Sequence, residues 1–233
     1  MGRDDRVGKY KISVSWNKNP NYTATLKNGT YTITDRVTGP EKARTGISLN
    51  SGFRAWWEGS GLMVSWGKAE DAERYDILAA YCGKDAPKLV RAVSGKSEPV
   101  IKITSLDGKK IDRTKNIKVR VIAYRKVDGQ YTRMGATIIA HVTGGQGRIS
   151  GFTNARRVTV QKDSYTLKTG AAARIRANTV PEIQGKKLLG ENHAARYRYA
   201  SDNKAVATVD ENGKITAVGK GPCRIYVYAQ NGT

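Results

Sequence analysis

Metal-binding and nucleophilic side chains are scarce in this sequence. It contains two histidines, His141 and His193, and two cysteines, Cys82 and Cys223. Neither histidine has a cysteine or another histidine at the short spacings typical of zinc-binding motifs. No nucleophile, histidine and carboxylate stand in a pattern that suggests a catalytic triad. The sequence therefore predicts no catalytic residue, no metal ligand and no cofactor, and we expect a protein that is not an enzyme.

The same residues have plain structural interpretations. His141 alternates with apolar neighbours on a predicted last strand, which favours a surface or half-buried position. Cys223 shares strand parity with Ile225 and Val227, so it is expected to face a core as a small hydrophobe. Cys82 and Cys223 fall in different predicted modules, so neither has a disulfide partner within its own module.

Acidic side chains that could hold calcium lie in predicted turns. They are Glu70-Asp71, Asp202 and Asp210-Glu211. A calcium site needs several oxygens that converge on one point, whereas a turn needs only one aspartate that caps its backbone. We interpret these carboxylates as turn caps.

The adjacent tryptophans Trp56 and Trp57 are the most suggestive surface feature. Neighbouring residues of a strand point to opposite faces, so one ring should be buried and the other exposed. An exposed ring beside Arg54 could stack on a sugar or another protein. The alternative, which we favour, is that the ring packs against a neighbouring module.

Two tyrosines near the end of the chain are a second candidate contact surface. Tyr226 and Tyr228 share an outward strand face with Arg224 in this interpretation. They could bind carbohydrate or a protein partner, although tyrosines are ordinary on strand exteriors.

The chain is strongly basic, with 41 Lys and Arg against 20 Asp and Glu and a net charge of +21. Such a field attracts polyanions, including acidic cell-wall polymer and nucleic acid. The cations are spread along the chain and alternate with apolar residues, as in Ile117-Lys118-Val119-Arg120-Val121, which favours solvated strand faces. We expect salt-sensitive binding to polyanions. Specific nucleic-acid binding is not expected, because aromatic platforms and a groove-binding helix are lacking.

Turn signals indicate many short strands. Asn-Gly or Asp-Gly pairs occur between apolar runs, and they are strong hairpin signals. We therefore predict an all-β fold of tandem immunoglobulin-like antiparallel sandwiches preceded by a short N-terminal β segment. The predicted parts are a hairpin or meander with a linker (1–46), a sandwich (47–143), a Gly-rich linker (144–153) and a second sandwich (154–233).

Three further features of the sequence concern the N-terminal segment, membrane insertion and export. Alternating runs at 10–16, 22–26 and 31–34 predict the N-terminal meander, and residues 35–46 predict the linker. No run approaches 18 apolar residues, so we expect no membrane insertion. The N-terminus lacks an apolar signal core, and any export signal is expected outside this chain.

The first predicted sandwich resembles a fibronectin type III domain. The resemblance covers roughly 47–143 and rests on Val64-Ser65-Trp66, Tyr75, Leu106 and Ile117-Lys118-Val119-Arg120-Val121-Ile122-Ala123. One position departs from the family pattern, because Ile117 stands where a corner tyrosine is usual. The hydrogen bond of that tyrosine to the backbone must then be absent or replaced.

The second predicted sandwich resembles a bacterial immunoglobulin-like group 2 domain. The matching stretch begins at Tyr199, where Trp is more usual, and contains Val206-Ala207-Thr208-Val209, the hairpin glycine Gly213 and the corner Gly219-Lys220-Gly221. The family continues past this point into one more strand. We therefore expect the final strand to be missing and the edge at 225–229 to be open, frayed or paired with a strand from elsewhere.

The two resemblances imply a non-catalytic structural or adhesive module of a bacterial cell-surface or secreted protein. Its expected partners are anionic polysaccharide, cell-wall polymer or a host surface protein, and the neighbouring modules of the parent protein. The alternative is an accessory region of a larger secreted enzyme, such as a glycoside hydrolase or peptidase, whose catalytic domain lies outside this chain.

Overall fold

The computed structural model describes residues 8–12, 29–33, 40–83, 85–144, 151–191 and 193–233. Antiparallel sheets dominate these residues, which confirms the predicted all-β fold. None of the helices in the described ranges is long and apolar enough to cross a membrane.

One helix and nineteen strands make up the described chain. In chain order they are β1 (Gly8–Ile12), β2 (Gly29–Ile33), α1 (Pro40–Ser51), β3 (Arg54–Glu58), β4 (Gly61–Ser65), β5 (Arg74–Tyr81), β6 (Lys88–Ser94), β7 (Val100–Ile103), β8 (Ser105–Leu106), β9 (Lys109–Lys110), β10 (Ile117–Val127), β11 (Gln130–Ala136), β12 (Ala140–Val142), β13 (Ala155–Val160), β14 (Ala172–Arg174), β15 (Ala177–Pro181), β16 (Tyr197–Ser201), β17 (Ala207–Val209), β18 (Lys214–Ala217) and β19 (Ile225–Ala229).

The N-terminal segment contains an antiparallel pair formed by β1 and β2, with Tyr10 opposite Tyr31. The predicted middle run at 22–26 lies outside the described residues. The predicted linker at 35–46 is wrong from residue 40 onward, where α1 begins. Its sequence has poor helix formers, and tertiary packing stabilises it, because Leu49 is fully buried in the core beside β11.

The first sandwich consists of two antiparallel sheets. One has the order β3-β4-β7, and the other has the order β11-β10-β5-β6, with β12 also paired to β10. Between them the apolar faces form one closed cluster that includes Trp66 and Tyr75, whose ring centroids lie 5.4 Å apart. The Tyr75 hydroxyl accepts a hydrogen bond from the Ala69 amide at 3.0 Å, so this buried polar group is satisfied.

A different tyrosine supplies a bond like that of the missing corner tyrosine. Ile117 is fully buried, and its register partner across the sheet is Tyr81 of β5. The Tyr81 hydroxyl accepts a hydrogen bond from the Asp112 amide at 2.7 Å. A tyrosine on the neighbouring strand therefore ties down the loop that leads into β10. The resemblance of residues 47–143 to fibronectin type III domains stays a prediction.

The second sandwich is built from three smaller sheets. They pair β13 with β15, β14 with β18 and β17, and β16 with β19. Gly213 lies in the turn before β18 with φ +75, and a Cβ there would come within 2.8 Å of the Tyr199 ring. The hairpin glycine thus makes room for the aromatic ring that begins the matching motif.

The core of the second sandwich is thin. Ile175, Ala207 and Ile215 form its buried cluster among the described residues. Beside them lies a cleft of about 370 Å³, bordered in part by Tyr165, Ile225 and Val227. Within the described residues β19 pairs only with β16. The missing final strand stays a prediction.

The two ends of the predicted Gly-rich linker at 144–153 are hydrogen-bonded. The Gly144 amide donates to Asn116 Oδ1 at 2.8 Å. At the other end, the Thr153 amide donates to the Lys187 carbonyl at 2.8 Å, and the Lys187 amide donates to the Gly151 carbonyl at 3.0 Å. Each end is therefore held within its own sandwich, by a side-chain acceptor at Gly144 and by backbone acceptors at residues 151–153. The linker itself stays a prediction.

Candidate functional site at the junction of the two sandwiches

The two sandwiches meet through hydrogen bonds that backbone amides donate at the edge strand β12 and just after it. The His141 amide donates to the Gln230 carbonyl at 2.7 Å, and the Thr143 amide donates to Asn154 Oδ1 at 2.8 Å. These bonds satisfy an edge that would otherwise be exposed. They also place His141 against residues of the second sandwich.

Close packing of a glycine reinforces the junction. Gly232 has φ +93, and a Cβ at this position would lie 2.7 Å from Cδ1 of Phe53 in the first sandwich. Both the backbone conformation and the space therefore favour glycine. This contact brings the chain after β19 directly onto the first sandwich.

A buried amide side chain holds the loop that carries His193. Gln230 is 6% exposed, and its Nε2 donates to the carbonyls of Leu189 at 2.9 Å and Ala194 at 2.7 Å. Because Gln230 also accepts the hydrogen bond from His141, one residue fixes His141 and the loop of His193 relative to each other.

Cys82, His141 and His193 converge at this junction. Cys82 directly follows β5, and His141 lies on β12; both strands flank β10, where Lys118 is paired with His141 and with Ala80. The Cys82 Sγ lies 3.6 Å from His141 Nδ1, and the two imidazole centroids are 5.2 Å apart. One ligand atom from each residue lies within 4.8 Å of the other two, and all three side chains are half-buried.

Burial keeps the Cys82 thiol and the His141 imidazole neutral near pH 7. Desolvation raises the pKa of Cys82 to about 11, although Lys118 opposes the shift. Desolvation lowers the pKa of His141 to about 4, and the charges of Arg198, His193 and Lys118 act in the same direction. A reactive cysteine needs a depressed pKa, so this pair is not an activated nucleophile.

The sequence did not predict this cluster. Its members come from two sandwiches, and only the pairing of β5, β10 and β12 brings Cys82 beside His141. In the described parts of the chain it is also the one group of three or more His, Cys, Asp or Glu residues close enough to share a metal ion. No short spacing motif joins these three residues in the sequence. The sequence analysis therefore predicted no metal ligand.

The two tryptophans lie on opposite faces of β3, as the alternation predicted. Trp57 is 9% exposed, and its Nε1 donates to the Thr143 carbonyl at 2.9 Å, so it belongs to the first core. Trp56 is half-buried, with the Arg54 guanidinium 5.1 Å from its ring centroid. Arg54 also lies 3.9 Å from Glu182 of the second sandwich. Arg54 therefore borders the junction, and Trp56 lies beside it.

The outward position predicted for Tyr228 is wrong. Its ring is 6% exposed, and burial raises its pKa. Its register partner Arg198 lies close enough to His141 to lower the pKa of that histidine, so this side of β19 faces the first sandwich. Tyr226 is half-buried and stacks on Tyr228 with a centroid distance of 6.4 Å.

One of the predicted turn caps is confirmed. Asp210 Oδ1 accepts hydrogen bonds from the amides of Asn212 and Lys214, each at 2.9 Å. Asp202 Oδ1 instead accepts a hydrogen bond at 2.7 Å from the amide of Arg224, which lies 22 residues further along the chain. Asp202 therefore joins the ends of the paired strands β16 and β19 and does not cap its own turn. Both carboxylates are occupied by backbone donors, and only that of Asp210 caps a turn.

Comparisons with known proteins bear on the second sandwich. Neither the search of curated proteins nor the search of solved structures found a match to the chain. A protein-family model does match, and it covers the region that forms β13 to β19. Residues 154–233 match the bacterial Ig-like domain (group 2), a non-catalytic family, which confirms the resemblance predicted for this part of the chain.

Proposed function

We propose that this chain is a non-catalytic structural and adhesive segment of a bacterial surface or secreted protein. The observation that carries the proposal is the match of residues 154–233 to the bacterial Ig-like family, whose domains are often found on surface proteins. The docked arrangement of the two sandwiches supports a structural role. A backbone hydrogen bond and a tightly packed glycine hold the two sandwiches together at the junction. Such a junction keeps their relative orientation under force better than a free linker does.

We further propose that the segment binds anionic wall polymer or glycan through its basic surface. The net charge is +21, and exposed cations lie on two edge strands of the first sandwich. Lys88 and Arg91 lie on β6, and Lys102 lies on β7; a polar cleft of about 270 Å³ bordered by Arg91 and Lys102 runs between these strands. Lysines on edge strands also discourage edge-to-edge aggregation, so charge here serves solubility as well as binding.

Binding to isolated cell walls tests the proposal. The chain should be retained by walls that carry their anionic polymer, released by salt, and lost when the polymer is removed. Replacing Lys88, Arg91 and Lys102 with glutamine should weaken binding roughly 100-fold at low salt, because each cation near an anionic surface contributes about 1 kcal/mol. The matched control replaces the exposed Lys162, Lys168 and Lys220 of the second sandwich, and it should have a smaller effect.

Heparin and DNA serve as reference polyanions in the same assay. Similar and steeply salt-dependent retention on both is expected from charge alone. Preference for one DNA sequence would contradict the proposal, as would a failure of low-salt retention on every polyanion. Equal losses in the two triple variants would contradict the proposed location on β6 and β7.

A further inference from the structure

The cluster of Cys82, His141 and His193 has the donor set of a transition-metal site. A thiolate and two imidazoles are ligands that Zn²⁺ prefers, and sulfur selects against hard cations such as Ca²⁺ and Mg²⁺. Three of the four His and Cys residues in the chain meet here.

The geometry of the cluster suits a tetrahedral ion. With Zn–S near 2.3 Å and Zn–N near 2.0–2.1 Å, a tetrahedral angle separates sulfur from nitrogen by about 3.6 Å. Cys82 Sγ and His141 Nδ1 are 3.6 Å apart. The ligand atoms all lie within 4.8 Å of one another, so closure around an ion needs only a small movement of the His193 side chain.

A second observation points to a ligand at the same place. His193 Nε2 is buried and has no hydrogen-bond partner among the described residues. A buried nitrogen without a partner is unfavourable, because it has lost its hydration without replacement. A metal ion would provide that partner.

We propose that Cys82, His141 and His193 bind a Zn²⁺ ion that links the two sandwiches. Cys82 and His141 belong to the first sandwich, and His193 belongs to the second. Three protein ligands leave a fourth position for water. The ion acts as a clamp across the junction that Gln230 already holds.

The charges around the cluster act in two directions. The Lys118 ammonium donates to the Gly83 carbonyl at 2.8 Å, next to Cys82, and Arg198 lies near His141. Their positive charge opposes a bound dication, yet it favours the thiolate and the neutral imidazole, which are the forms that coordinate zinc. The thiolate itself offsets part of the charge of the ion.

Zinc titration of the full chain tests the site. We expect one zinc ion per chain by competition with a chromophoric chelator. The variants Cys82→Ser and His193→Gln should each weaken zinc binding by about 100-fold or more, because even the loss of an outer hydrogen-bonding partner costs 10–100-fold. The matched control is Cys223→Ser, which removes the other free thiol and should leave the affinity unchanged.

Two measurements on the unmodified chain keep the proposal testable if a variant folds poorly. Zinc should slow the alkylation of Cys82 and leave that of Cys223 unchanged. Zinc should also slow hydrogen exchange at the His141 amide, which bonds across the junction to Gln230.

A spectroscopic test uses cobalt in place of zinc. In cobalt-loaded protein, a thiolate-to-metal charge-transfer band should appear, and it should be lost in Cys82→Ser.

Three outcomes would overturn the proposal. The first is zinc binding that survives both Cys82→Ser and His193→Gln. The second is equal alkylation of Cys82 with and without zinc. The third is loss of binding in Cys82→Ser but not in His193→Gln, which would place the ion within the first sandwich and remove its bridging role. None of these outcomes bears on the proposed binding of wall polymer, which depends on other residues.

Discussion

The two sandwiches bury their apolar residues to different extents. In the first, the closed cluster extends from Leu49 to Val142 and includes Trp57, Trp66 and Tyr75. In the second, Ile175, Ala207 and Ile215 form the buried cluster of the described residues, and Ile225 and Val227 border an open cleft. Both are built from paired antiparallel strands, so strand pairing alone does not make a closed core.

The difference shows where each sandwich obtains its stability. The first has large sheets that cover each other, and hydrophobic burial dominates. The second compensates with buried polar contacts near the junction, such as Asn231, which is 1% exposed and donates from Nδ2 to the Ala155 carbonyl at 2.9 Å. The second sandwich therefore relies on the first as a covering surface.

The sharpest test of this comparison is one substitution made in both cores. Ile77 is 0% exposed on the central strand β5, and Ile215 is 5% exposed on the central strand β18. Ile77→Ala should cost about 4 kcal/mol, because it leaves a closed cavity, whereas Ile215→Ala should cost about 2 kcal/mol, because it widens a cleft that already exists. Hydrogen exchange in each sandwich measures both values. Equal costs would mean that the second core is as closed as the first.

The next test breaks the contact between the sandwiches. Gly232→Ala should destabilise the chain by about 2–3 kcal/mol, from strain at positive φ and from the clash with Phe53. The control Gly170→Ala has φ +85 with nothing within 4 Å of the added Cβ, so it should cost only about 1 kcal/mol. Chemical unfolding measures the difference. If Phe53→Leu does not relieve the excess cost of Gly232→Ala, the contact is not its cause.

The smallest expected effect concerns the ion pair across the junction. In a double-mutant cycle, Arg54→Gln and Glu182→Gln should show a coupling below about 1 kcal/mol, since the pair is partly exposed and its atoms are 3.9 Å apart. Lys68 and Glu98 form a control pair at the same distance within the first sandwich. A coupling of several kcal/mol for the first pair would mean that charge, and not packing, holds the sandwiches together.

Some elements could be predicted from the sequence, and others could not. Strands β5, β10 and β12 follow the alternation of apolar residues, because one face of each is buried. Strand β6 was not predicted, since it is an edge strand whose Leu89 is 54% exposed. Helix α1 was missed because its stability comes from contacts with β11 and not from its own residues.

The predicted contact residues show the same limit. Alternation correctly placed Trp56 and Trp57 on opposite faces of β3. It also placed Tyr226 and Tyr228 away from the core of their own sandwich, but it could not show that Tyr228 is buried on that face. The alternation along a strand determines which face a residue occupies. The packing of the two sandwiches against each other determines whether that face is exposed to solvent.

By itself, the sequence determined the all-β fold, the resemblance of the second sandwich to bacterial Ig-like domains (group 2) and the turn-capping role of Asp210. These depend on local patterns of spacing and on short motifs. Only the tertiary structure decided that Cys82, His141 and His193 meet. The physical reason is that strand pairing and the docking of two sandwiches set the distances between residues far apart in the chain, and no local pattern encodes those distances.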